Sequence, residues 1–198
     1  MLLQGARDNL FIIIGCIIVA FTVHEFAHAW VSYKLGDYTA KQDGRLTLNP
    51  MKHIDYMGFI FLLITGFGWA KPVMVNPSYY KNEQKGMALV ALAGPLSNII
   101  LGIIGIILHF IFISESFVIV FFYFWMINFA LCLFNLIPVP PLDGSKILGL
   151  FFKGEAYQAY LKHQFIGFIL LMVIIFSGVF GIIINAVVTF VLRIIYGI

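Results

Sequence analysis

Residues 10–33 read LFIIIGCIIVAFTVHEFAHAWVSY, a stretch that is apolar except around His24, Glu25 and His28. A bilayer core of ~30 Å takes about 20 apolar residues as a helix, so Leu10 to Tyr33 is long enough to cross it. Two imidazoles and a carboxylate within one turn of a span are costly without a function. This stretch therefore decides the class of fold and also marks where chemistry is to be sought. Ala27-His28-Ala29 imitates a small-x-small cleavage site. The basic lead-in, however, is a lone Arg7 beside Asp8, and the apolar run continues into Trp30 and Val31, so we read an uncleaved span.

The rest of the chain agrees. Of its 198 residues, 62% are hydrophobic and 11% charged, with a mean hydropathy of +1.00. Soluble domains run about 45–50% apolar and about 25% charged, so polar surface is too scarce here to cover a water-facing globule. The net charge of +3 is not gathered into any basic run, which excludes a nucleic-acid binder. Cys16 and Cys132 each sit in an apolar stretch and carry no redox signal.

Further spans are expected at Gly86 to Ile113, Phe117 to Ile137 and Phe165 to Ile195. The last is longer than one crossing needs and has Ser177-Gly178 and Gly181 near its middle, so it reads as one span with an interfacial tail or as a tight hairpin. Met57 to Gly68 has only 12 residues, about 18 Å as a helix, too short to cross. Lys34, Lys41, Arg45 and Lys52 precede it, and Lys71, Lys81 and Lys85 follow it. Basic loops stay cytoplasmic, so this segment begins and ends on one side and is re-entrant. Trp69 to Val75 alternates like an edge strand up to Asn76-Pro77. The expectation is an all-α polytopic membrane protein: four or five transmembrane helices, a short re-entrant segment and a small membrane-associated β element. It forms a single domain over 1–198, with a core at about 10–150 and a C-terminal transmembrane segment at about 163–196.

His24-Glu25-Phe26-Ala27-His28 is an H-E-x-x-H motif. Positions i and i+4 share a helix face, so both imidazoles reach one ion, and Glu25 stands beside it as a general base. Composition alone yields this pattern about 0.002 times in such a chain. A catalytic zinc takes three protein ligands. Asp143, delivered by the proline-stiffened run from Asn135 to Gly144, is the candidate third ligand. It could instead cap a short helix from Ser145 to Phe152. His53 is the rival ligand, in a polar loop where a solvated histidine is the default. His109 and His163 read as interface anchors near span ends, and Glu115 falls in the outer turn, on the wrong side. In Gly94-Pro95-Leu96-Ser97-Asn98 the small residues suggest close helix packing. Asn98, a buried amide in need of partners, could hold substrate backbone or an oxyanion.

With these motifs the chain resembles the site-2 protease family of intramembrane zinc metalloproteases, in a minimal form without PDZ or CBS domains. The resemblance rests on His24 to His28, Gly94 to Asn98 and Asn135 to Gly144, in that order, with Gly44-Arg45-Leu46-Thr47-Leu48-Asn49-Pro50 and Gly68-Trp69-Ala70-Lys71-Pro72-Val73 between them. It implies one Zn2+ per chain held by His24, His28 and Asp143, with Glu25 as general base and acid. It also implies that Asn98 and Asn135 line the active site, and that the strand at Trp69 and Lys71 receives an unwound substrate helix. Tyr56 and Met74 stand where similar sequences carry proline. The expected function is hydrolysis of peptide bonds in or near transmembrane helices, acting on a single-span membrane protein in the bilayer of a bacterial cell. The active site would face the cytoplasm. The alternative is a zinc-binding membrane protein without hydrolysis, such as a transporter or scaffold.

Overall fold

The computed structural model describes residues 9–65, 68–112, 114–151, 160 and 164–197. Among these, three helices are long and apolar enough to cross a membrane. Helix α1 covers Leu10–Lys34 and is followed by a short helix α2, Thr39–Gln42. Helix α3, Tyr56–Thr65, is the short apolar segment, and at 10 residues it does not qualify as a span. Helix α4, Glu83–Ile111, is started by Asn82, whose side chain accepts from the Lys85 amide at 2.9 Å. Glu83 in its first turn suits the positive end of the helix dipole. Helix α5, Glu115–Leu136, stops just before Pro138, which disfavours helical backbone in the residue ahead of it. Helix α6 is Asp143–Ile147, and α7 (Gln164–Phe176) and α8 (Val179–Tyr196) close the chain.

The C-terminal helices correct the expected count. The pair 165–176 and 179–194 is bent by 60° at its break, where Gly178 takes a φ of +75. At 13 residues, α7 is about 20 Å long, short of a crossing. Among the described residues the candidate spans therefore number three, or four if the bent pair is one. The pair is kinked and not folded back as a hairpin.

The β element is the second difference. Among the described residues there is no strand, only an isolated antiparallel bridge between Ile54 and Ala70. Residues 71–76 run as irregular chain. Their inward amides bond to side chains and one loop carbonyl, so no neighbouring strand completes a ladder.

Helices α4 and α5 pack lengthwise, and α1 lies against both. Lipid tails are as apolar as the side chains, so close approach through small residues holds such helices together. A Cβ on Gly102 would meet the Phe129 ring at 3.0 Å, and one on Gly105 would meet Phe124 and Trp125 at 2.9 Å. Trp125 is fully buried at this seam.

Candidate active site

His24 and His28 project from the second half of α1 and are 3% and 8% exposed. Both face α4 where Gly94 leaves room: a Cβ there would lie 2.5 Å from His28 Nε2 and 2.6 Å from His24 Nε2. Asp143 arrives as the first residue of α6, which packs against α4 and the end of α5. That helix sits so close to the end of α5 that a Cβ on Gly144 would be 2.4 Å from the Leu136 carbonyl and 2.5 Å from that of Ile137. Glycine at 144 is thus what lets Asp143 reach the histidines. Asp143 makes no side-chain cap; its Oδ2 lies 3.2 Å from His24 Nε2 and 3.1 Å from His28 Nε2, and its Oδ1 accepts from Lys146 at 3.3 Å.

The outer ring nitrogens determine what the inner ones offer. Asn98 donates its amide hydrogens to the Ala20 carbonyl at 3.2 Å and to Asn128 Oδ1 at 2.9 Å. Its oxygen therefore faces His24 Nδ1, 2.6 Å away, which must carry the proton. Asn128 is oriented in turn by donating to the Phe124 carbonyl at 2.8 Å. The Val90 carbonyl, 2.7 Å from His28 Nδ1, sets the second ring in the same way. Both Nε2 atoms then present lone pairs, 3.0 Å apart, to each other and to an anionic oxygen. Such a group is repulsive unless it shares a cation. Two neutral imidazoles and one carboxylate, with ring protons held by carbonyl acceptors, are the donor set of a catalytic zinc site. His24, His28 and Asp143 form the only such cluster among the described residues.

The other expected residues fall in different places. Glu25 follows His24 on the same turn and accepts from the Val73 amide at 2.9 Å. Asn98 is fully buried, and both its amide hydrogens are committed, which leaves none for a substrate oxygen. Asn135 donates back to the Leu131 carbonyl of its own helix at 3.0 Å and makes no hydrogen bond to the three ligands. Trp69 is 48% exposed and packs against Phe61. Lys71 is exposed, with its backbone held by His53 and Arg45. His53 is buried, not solvated; its Nε2 lies 2.8 Å from the Thr47 carbonyl, while its buried Nδ1 has no hydrogen-bond partner. His109 bridges Tyr196 and the Val118 carbonyl, while His163 lies outside the described residues. Sequence reasoning missed Asn128. Its signal was a lone amide inside an otherwise apolar span.

The architecture is that of a helical protein with helices long and apolar enough to cross a membrane and a His-His-Asp group that could hold a metal ion. Residues 111–177 match the model of peptidase family M50. Three relatives each carry the name "Putative zinc metalloprotease". YwhC of Bacillus subtilis is 47% identical over 142 residues, covering 67% of this chain and 65% of its own length. MJ0611 of Methanocaldococcus jannaschii is 33% identical, covering 65% and 64%. Rip2 of Mycolicibacterium smegmatis is 27% identical, covering 81% and 64%. The chain thus spans just under two thirds of the length of each. No solved structure matches it. The chain is therefore similar to peptidase family M50 over residues 111–177 and, across about two thirds of its own length, to proteins named as zinc metalloproteases.

Proposed function

We propose that this chain is an intramembrane zinc metalloendopeptidase that cleaves peptide bonds in or near transmembrane helices, with a single-span membrane protein as substrate. The observation that carries the reading is the convergence of His24, His28 and Asp143 on one point, one residue from Glu25. When bound, zinc supplies Lewis acidity toward a carbonyl and makes water acidic enough to act near neutral pH. The chain's own residues do the rest. Asn98 and Val90 keep the two rings turned with Nε2 inward. Glu25 takes a proton from the attacking water and returns it to the leaving amine. Segment 69–76, although it forms no strand by itself, offers backbone to an unwound substrate. Trp69 and Lys71 contact that peptide from the same segment, and Asn135 lines the route by which water enters.

Orientation follows from charge. Lys34, Lys41, Arg45, Lys52, Lys71, Lys81, Lys85 and Lys146 all fall at or beyond the ends of α1, α4 and α5 that carry the metal cluster. By the positive-inside rule this end faces the cytoplasm of a bacterial cell, in a multi-pass arrangement. A transporter would need ionisable residues from one face of the bilayer to the other; here the buried His24, His28 and Asp143 share one cluster, apart from His109 at the opposite end of α4.

The test is cleavage of a single-span protein by the purified chain in liposomes, with and without chelator. Cleavage should require zinc and disappear in Glu25→Gln, which should still bind the metal. Full cleavage by Glu25→Gln would overturn the mechanism, and zinc binding without any cleavage would favour the scaffold or transporter.

A further inference from the structure

Arg45, Asp37 and Val73 lie outside the metal cluster, yet they share one task. Arg45 is 6% exposed, and its guanidinium donates to the Lys52 and Lys71 carbonyls. The Lys71 amide donates to the His53 carbonyl at 2.9 Å. Five residues on, the Asn76 amide donates to Asp37 at 2.7 Å. Asp37 is fully buried and also accepts from Ser32 at 2.8 Å and from Thr39. Buried groups of opposite charge thus anchor the two ends of segment 71–76. Between the anchors, the Val73 amide bonds to Glu25.

Lys71 and Val73 use their amides toward the protein at alternate positions, which is the two-residue period of extended chain. They define one edge of the segment. The opposite edge belongs, by the same period, to Ala70, Pro72 and Met74; Pro72 and Met74 are exposed, and Pro72 lacks a donor. A peptide paired there would be held a strand's width from the general base. A peptide that is to reach Glu25 must use the Val73 edge, and in this structure Glu25 itself occupies that edge. One amide cannot serve both.

We propose that segment 69–76 is a latch closed over Glu25, which a substrate strand opens by displacing the carboxylate from the Val73 amide. The middle of the segment lifts by about one strand spacing, ~4.8 Å, while Arg45 and Asp37 keep its ends anchored. The peptide-binding role rests on the proteolytic reading above; the latch itself does not.

Spin labels at positions 74 and 42 read the motion without turnover. Both sites are exposed, and Cys16 and Cys132 are replaced by alanine in the full chain. The zinc-loaded protein should give one narrow distance distribution. Glu25→Ala and Val73→Pro, which cut the contact from either side, should each broaden it and lengthen its mean by a few ångström. An apolar peptide hydroxamate should move the otherwise unsubstituted labelled protein to the longer distance. If both substitutions leave the distribution narrow, or the peptide binds with the distance unchanged, the latch is wrong and Val73 merely orients Glu25. If the labels report opening but zinc-loaded protein cleaves no single-span substrate, the latch stands and the proteolytic reading falls.

Discussion

Gly94→Ala tests the metal site through the space that the histidines occupy. The added methyl would sit 2.5 Å from His28 Nε2 and 2.6 Å from His24 Nε2 and Cε1. Ordinary contact between such atoms begins near ~3.5 Å, so both rings must retreat by about 1 Å. Neither ring is free to do so, because the Asn98 oxygen holds one and the Val90 carbonyl holds the other. Overpacking of this kind costs about 1–3 kcal/mol. Expressed as weakened metal binding, that is about 5- to 150-fold at about 1.4 kcal/mol per decade. The assay is zinc competition against a chromophoric chelator in detergent, with thermal unfolding measured alongside. Gly102→Ala is the control, since eight residues further along α4 the three atoms nearest its methyl all belong to the Phe129 ring, at 3.0–3.1 Å. It should lower stability with no change in zinc affinity. If Gly94→Ala binds zinc as tightly as the natural sequence, the rings are not where the structure puts them.

Other substitutions probe the supporting residues. Asn128→Leu breaks the amide chain that turns Asn98 toward His24 and should weaken zinc binding about 10- to 100-fold, read by the same competition assay. Gly144→Ala drives a methyl into the Leu136 and Ile137 carbonyls; backbone cannot yield as a side chain does, so Asp143 should be displaced and metal analysis should show zinc lost. Asp37→Asn should cost about 1–3 kcal/mol at pH 7. Burial alone would raise the Asp37 carboxyl, but hydrogen bonds from Thr39, Asn76 and Ser32 bring it below its ordinary value. A carboxyl lowered by folding stabilises the protein above its unfolded value of ~3.9 and loses that contribution as pH falls through the folded one. The melting difference between Asp37→Asn and the natural sequence should therefore be full at neutral pH and shrink below about pH 4. A difference that stayed constant down to pH 3 would contradict the charge of Asp37.

Much of the site was legible because its signal is local. The spacing of His24 and His28 is a property of one helix, and a helix is obligatory where no water can satisfy backbone groups. Asp143 could be nominated from the proline run before it, although its rivals remained open. The amides were harder. Asn98 and Asn135 read alike as polar residues lining the active site, yet one bonds His24 and the other bonds back to its own helix. Asn128, seven residues before Asn135, is the one that meets Asn98. Rotation of α5 about its axis decides that, and it is set by Trp125 and Phe129 packing on Gly105 and Gly102. The expected strand at Trp69 to Val75 failed for a related reason. Alternation describes one chain, whereas a strand needs a partner.

By itself the sequence determined the medium and the motif. Its scarcity of charge demands lipid, and its i, i+4 histidines on an apolar helix demand a single ion. The tertiary structure alone decided which carboxylate lies 119 residues from His24 in sequence and 3.2 Å from it in space. It also decided which amide orients that ring, and that the Val73 amide covers Glu25. Period and spacing are written along one helix, but contacts between helices depend on how closely their small residues let them approach.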